Sequence, residues 1–155
     1  MEFWRICKRK YQDAAFTGIG GIHVDGRWHR RGCRIVYTAS SLSLATLEAF
    51  VHHNSENSPS DLCRILGYLP DSVSQEIVNV LDLPTNWADI PSPNSLRDIG
   101  TEWINSRRSL CLIVPSAVVS GVERNILINP QHKDFHLLKV VGVWKHVFDP
   151  RMFGK

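Results

Sequence analysis

Arg34-Ile35-Val36-Tyr37-Thr38, then Ser40-Ser41, then Leu42-Ser43-Leu44-Ala45-Thr46-Leu47-Glu48-Ala49-Phe50, is the stretch whose reading decides the fold. Its first part is β-branched and aromatic, which predicts a strand over Arg34 to Thr38. Ser40 or Ser41 then offers a side-chain oxygen as a helix cap. Apolar positions at Leu42, Ala45, Leu47, Ala49 and Phe50 carry a helical period up to His52, and Ala45, Leu47 and Glu48 are good helix formers. His52, His53, Asn54 and the Ser/Asn/Pro-containing run behind them end it.

Working outward, Phe3 to Cys7 reads as a short strand, followed by a glycine-rich turn at Gly18, Gly20 and Gly21 and a polar loop from Gly26 to Gly32. On the other side, Leu62 to Leu69 and Glu76 to Leu81 read as strands, and Asp82 to Pro93 as a loop. Ser95 to Ser106 has helical spacing through Leu96, Ile99, Trp103 and Ile104. Leu110 to Val114 is an apolar strand stopped by Pro115, and Asn125 to Ile128 and Leu137 to Val147 supply the closing strands. Helices and strands are mixed without strict alternation, which favours an α+β fold over a doubly wound sheet. The Asn54 to Ser60 segment is polar enough for a mobile loop but too short to separate domains, and 155 residues fit one domain over 1–155.

Composition narrows the class. With 43% apolar and 21% charged residues the chain reads as an ordinary globular protein. A net charge of +3 is too weak to argue by itself for nucleic acid. Cys7, Cys33, Cys63 and Cys111 form no C-x-x-C pair, so buried free thiols are expected rather than a metal or redox site. The start of the chain carries no signal-peptide pattern, and the most apolar run, Leu110 to Val119, is broken by Pro115 and too short for a bilayer. A cytoplasmic protein without membrane attachment is expected.

Several motifs fail on inspection. The glycines at 18, 20 and 21 have the wrong spacing for a dinucleotide fingerprint, and no P-loop is present. His132 and His136 have the spacing of paired metal ligands, but Pro130 precedes them and no third ligand is evident, so they read as loop histidines. Ser116 lies in Pro-Ser-Ala, not in a nucleophile elbow. The cluster Arg27, Trp28, His29, Arg30, Arg31 and Arg34 reads first as a solvated loop, second as a nucleotide-phosphate site and third as an RNA contact.

Three segments in order resemble the RES domain. They are Gly26-Arg27-Trp28 with Gly32 and Ile35-Val36-Tyr37-Thr38; Ser43-Leu44-Ala45-Thr46-Leu47-Glu48; and Val114-Pro115-Ser116-Ala117-Val118 continuing through Asn125-Ile126-Leu127-Ile128-Asn129-Pro130 to His132. Two positions depart from the family's pattern. His29-Arg30-Arg31 stands where Asn and then Pro are common, and Gly100-Thr101 where Gly-Asp is often found.

The resemblance implies a fold like that of ADP-ribosyltransferases and an activity on NAD⁺ as a consumed substrate, with no catalytic cofactor or metal. The positions matching the family's arginine, glutamate and serine are Arg27, Glu48 and Ser116, with Tyr37 a further site residue. It also implies a toxin held by an Xre-type helix-turn-helix antitoxin covering the active site, with DNA reached only through the antitoxin and a homodimer possible inside the complex. Breaking the nicotinamide–ribose bond leaves an oxocarbenium-like ribose, so a carboxylate nearby suits the chemistry and Glu48 is expected to supply it. Arg27 suits the diphosphate through its planar fork. Tyr37 suits stacking on nicotinamide or ribose, and Ser116 suits a hydrogen bond to the substrate or to Glu48. Water, phosphate or a protein side chain remains open as the acceptor, and an RNA-binding or ribonuclease toxin is the competing class.

Overall fold

Strand pairing organises the chain into one mixed, seven-stranded sheet, seen in a computed structural model that describes residues 1–53 and 59–154. The strands are β1 (Glu2–Lys8), β2 (Val36–Ala39), β3 (Leu62–Tyr68), β4 (Gln75–Ile77), β5 (Cys111–Pro115), β6 (Arg124–Ile128) and β7 (Lys139–Lys145). Their order is β4-β5-β6-β2-β1-β3-β7, antiparallel throughout except for the parallel pair β4–β5. A one-turn helix α1 (Gly20–His23), α2 (Leu42–Phe50) and α3 (Asn94–Ser106) complete the regular structure with short 3₁₀ turns. The expected α+β architecture with mixed strands and a few helices is what forms.

Alternation along the strands separates two faces. Trp4 and Ile6 of β1, Tyr37 and Ala39 of β2, Leu127 of β6 and Leu112 and Val114 of β5 share one face by register. There α2 buries Leu44 and Ala45 against Ala39, Trp4 and Ile6. Alongside, α3 buries Leu96, Trp103 and Ile104 with Trp28, Trp87, Leu112, Val114 and Leu127. On the opposite face Phe3, Val36, Cys111, Ile126 and Ile128 pack with Leu69 and Leu110. Cys63 and Ile65 meet Ala15 and Phe16 there. Cys63 and Cys111 are buried and Cys7 and Cys33 half-buried, all as free thiols.

The central pair is the exception to this regular pairing. β1 and β3 match over their whole length, from Glu2 opposite Tyr68 to Lys8 opposite Leu62. β1 and β2 match only where Trp4 faces Ala39. Past that point the strands part, and the Arg5 Nη1 donates to the Tyr37 carbonyl at 2.6 Å, a side chain bridging where ladder bonds would run.

Several boundaries differ from expectation. Glu76 to Leu81 is not one strand: β4 ends at Ile77, and Asn79 caps a 3₁₀ turn over Val80–Asp82 by accepting from the Leu81 N–H. The start of the Leu137 to Val147 segment belongs to a 3₁₀ turn, Lys133–Leu137, capped by the His132 side chain. The glycines at 20 and 21 open the short α1 rather than a bare turn. Ser41, not Ser40, is the cap of α2, accepting from the Leu44 N–H at 3.1 Å. Most of the loop expected over Asn54 to Ser60 lies outside the described residues.

Gly100 ties α3 to the loop that carries Arg27. A Cβ at Gly100 would fall 1.7 Å from the Trp28 carbonyl oxygen, a backbone atom that cannot rotate away. Gly100→Ala is therefore expected to destabilise the fold by at least the roughly 1–3 kcal/mol typical of overpacking. Gly20→Ala, with nothing within 4 Å of the new Cβ, is expected to be neutral or slightly stabilising. Chemical denaturation of the two variants checks this, and equal stability would contradict the Gly100–Trp28 contact.

Candidate functional site

Glu48 follows the buried Leu44 and Ala45 by four and three positions, so helical geometry turns it toward the sheet rather than to solvent. Its Oε1 accepts from the Ser116 hydroxyl at 2.7 Å and from the Asn125 side-chain amide. Ser116 is fully buried just past the end of β5, and its Oγ also accepts from the Val118 N–H at 3.2 Å. Asn125 stands on β6, opposite Ala39 of β2 and Val114 of β5. Two neutral donors thus fix one carboxylate oxygen, and Oε2 has no hydrogen-bond partner among the described residues. Glu48 lines a cleft of about 250 Å³ together with Trp4, Arg5, Tyr37 and Asn125.

Tyr37 closes one side of this cleft. Its hydroxyl accepts from the Trp28 N–H at 3.1 Å and lies 2.8 Å from His29 Nδ1. Burial pushes its pKa up, so it remains a neutral phenol. His29 is itself buried, which lowers its pKa and keeps the imidazole neutral at neutral pH. The Tyr37 hydroxyl is thus committed to the Arg27–Gly32 loop, while the residue also lines the cleft.

Arg27 stands beside this group. Its Nη1 donates to the Trp87 carbonyl at 2.7 Å and its Nη2 to the Asp89 carbonyl at 3.2 Å. Partial burial lowers its pKa, while Glu48, Tyr37 and Asp89 act in favour of its charged form. The guanidinium is therefore positioned by the carbonyls of residues 87–89, near Glu48.

The basic cluster is only in part the solvated loop expected from composition: Arg30 and Arg31 are exposed, but Trp28 and His29 are buried. Trp28 is 2% exposed and packs in the α3 core, where its ring is out of reach of a nucleic-acid base. Arg30 pairs with Asp98 of α3 at 2.7 Å, and Arg34 donates to the Thr17 carbonyl. His132 is buried as a turn cap and His136 bonds the Lys133 carbonyl. Among the described residues no group of three His, Cys, Asp or Glu is placed to hold a metal, and no helix is long and apolar enough to cross a membrane.

Sequence reasoning brought Glu48, Ser116 and Tyr37 to one place, with Arg27 adjoining, and missed two residues. Arg5 lines the cleft and its Nε is buried without a partner among the described residues. A lone charge inside the apolar run Phe3 to Cys7 was the available signal. Asn125 was read as the start of a strand, and nothing local marks it.

Residues 2–149 match the family model of the RES domain. A protein named Toxin Res from Yersinia enterocolitica is 40% identical over 153 residues, covering 98% of this chain and 99% of its own length. The Prs ADP-ribosylating toxin of a Sphingobium species is 39% identical, covering 99% of this chain and 98% of its own. A chain in the crystal structure of the M. tuberculosis MbcT–MbcA toxin–antitoxin complex shares the fold with a TM-score of 0.73, over 99% of this chain and 86% of that one, at 13% identity.

The buried imidazoles set an acid limit on stability. His29 and His146 both have pKa values lowered from 6.5 by burial. Below about pH 6.5 the unfolded chain binds protons that the folded chain refuses, so stability is full above that pH and falls as pH falls. Urea unfolding between about pH 7.5 and about pH 5 is expected to show this loss, reduced in a His29→Asn variant. A flat profile would contradict the burial of neutral imidazoles.

Proposed function

The chain belongs to the RES-domain family, and from that premise we propose that it is the toxin of a toxin–antitoxin module and cleaves NAD⁺ at the nicotinamide–ribose bond. The observation that carries this reading is the cleft carboxylate: Glu48 has one oxygen held by Ser116 and Asn125 and the other unpartnered among the described residues. Nicotinamide leaves NAD⁺ with the electron pair of the broken bond and so departs neutral, without a general acid. The positive charge that builds on the ribose is what a preoriented carboxylate stabilises. Glu48 is the residue assigned that role. Ser116 and Asn125 act through it as positioning residues; Ser116 is fully buried and its hydroxyl donates to Glu48, so it is assigned no nucleophilic role. Tyr37 offers its ring to the nicotinamide or ribose. Arg27 is assigned to the diphosphate, exchanging the carbonyls of residues 87–89 for charged oxygens. No catalytic cofactor or metal enters this scheme; NAD⁺ is the substrate.

Water as acceptor makes the enzyme a glycohydrolase and phosphate makes it a phosphorylase, either of which depletes NAD⁺. A second reading, transfer of ADP-ribose to a protein, is favoured by the name of the Sphingobium relative. An RNA-directed toxin loses its main support with the burial of Trp28. An enzyme of this kind has to be restrained in its own cell. The partner is assigned as an Xre-type antitoxin that covers the cleft near the basic loop and carries the DNA contact itself.

Purified protein incubated with NAD⁺, with and without phosphate, is expected to release free nicotinamide. Glu48→Gln should keep the fold and lose about 10²–10³ in turnover, since the change removes charge but not size. Arg27→Lys should chiefly raise the Michaelis constant, because the charge survives and the fork does not. Near-normal activity in folded Glu48→Gln counts against this mechanism. Absence of nicotinamide release with water, phosphate and candidate acceptor proteins alike counts against the reaction.

Expressed alone, the chain is expected to arrest growth with loss of cellular NAD⁺, and to be harmless with its genomic neighbour. Harmless expression with level NAD⁺ refutes the toxin reading.

A further inference from the structure

A second cavity, of about 600 Å³, lies on the face of the sheet opposite the Glu48 cleft. The cleft is walled by Trp4, Ile6 and α2, the second cavity by Cys7, Ala15 and the glycine-rich segment around Gly20. Arg5 and Tyr37 stand between them. Strand register decides which hollow receives the Arg5 side chain. Arg5 pairs with Ile65 and Cys7 with Cys63. Ile65, Cys63 and Cys7 pack with Ala15 and Phe16, so alternation sends Arg5 to that same face.

There Arg5 is a cation without a counter-ion. Its Nη1 donates to the Tyr37 carbonyl at 2.6 Å, and its Nε is buried with no partner among the described residues. No ion pair among the described residues includes it. Burial opposes its charge, and the ionisable groups that act on it are the thiols of Cys7 and Cys63. Burial pushes the Cys7 thiol up to about 12, so it stays protonated at neutral pH and supplies no negative charge. Asp25, the one carboxylate of the lining among the described residues, is engaged elsewhere: its Oδ1 accepts from the Arg31 N–H at 2.7 Å. An enclosed guanidinium is costly unless an anion meets it. Water satisfies free N–H donors but does not neutralise them. The rest of the cavity is lined mainly by small and apolar residues, with Tyr11 at 55% exposure, Ile19 at 49% and Val24 at 62% open to water. Single exposed hydrophobics are common, but three gathered around one hollow mark a binding surface. The volume lies within the roughly 300–1,000 Å³ usual for small-ligand sites.

We infer that this cavity binds a small monocarboxylate with an apolar body, its carboxylate paired with Arg5 and its body lying along Ala15 and Ile35 toward Ile19. The site lies across the sheet from Glu48 and does not depend on the proposed NAD⁺ reaction. A carboxylate matches the planar guanidinium and supplies the charge that no side chain provides. A bare anion would leave the apolar walls in water. A neutral apolar molecule would leave Arg5 uncompensated. Only a ligand with both parts answers both features of the cavity.

The test is binding of octanoate to the full chain by calorimetry, beside octanamide, which keeps the body without the charge, and acetate, which keeps the charge without the body. Wild type is expected to bind octanoate roughly tenfold or more tightly than either control. Arg5→Met, which keeps the apolar stem and removes the charge, is expected to abolish the preference for octanoate over octanamide. Ile19→Asp, an exposed change that sets a negative charge in the cavity wall, is expected to weaken octanoate by roughly tenfold at unchanged melting temperature, and keeps the test decisive if Arg5→Met does not fold. Glu48→Gln is expected to bind octanoate as wild type does, which places the ligand outside the cleft. No binding of octanoate by wild type, octanamide or acetate binding as tightly as octanoate, or unchanged octanoate affinity in folded Ile19→Asp overturns the site.

Discussion

The parting of β1 from β2 is the constraint on which the site depends. Two neighbouring strands in the middle of a sheet normally exchange backbone hydrogen bonds along their length, because a buried unpaired N–H or C=O is costly. Here the ladder has one matched position, Trp4 with Ala39, and the Arg5 guanidinium serves the Tyr37 carbonyl beyond it. A charged donor can span a wider gap than a backbone amide, so the sheet opens without abandoning that carbonyl. Both hollows adjoin this opening, and both are lined by the two residues that bridge it.

Around that opening, each polar group is held by a different element. Glu48 comes from α2, Ser116 from the turn after β5 and Asn125 from β6, and they meet because α2 packs on the face that Ala39 and Trp4 share. The Ser41 cap fixes where α2 begins, and so which side of it carries Glu48. Two hydrogen bonds to one oxygen, from Ser116 and Asn125, hold this carboxylate in place, the property required for stabilising charge that appears during a reaction.

The Arg27 loop is anchored just as firmly. Trp28 fills the α3 core, Gly100 leaves room for its carbonyl, and the Tyr37 hydroxyl receives its N–H. His29 completes the contact from the next position. A run rich in arginine that looks like a solvated surface is in fact pinned at its centre by two buried aromatic rings. The charged groups are left at the edge, where Arg27 reaches the carbonyls of residues 87–89 and Arg30 reaches Asp98.

Strand β2, the serine cap, helix α2 and the amphipathic α3 were legible in the chain because their signals are local: a side-chain period, a cap, a proline stop. Family resemblance placed Arg27, Tyr37, Glu48 and Ser116 in one site, though no local pattern joins them. What only the tertiary structure decided is which further residues meet them. Asn125 is 77 positions from Glu48 and Arg5 is 32 from Tyr37, and their contacts follow from strand register and from the break between β1 and β2. The short β4 and the burial of Trp28 were likewise hidden. A β-rich segment shows its propensity in sequence, but whether it continues as a strand, and which face of a loop is buried, depends on what packs against it. Periodicity along one chain segment carries no record of the partner it will find across the sheet.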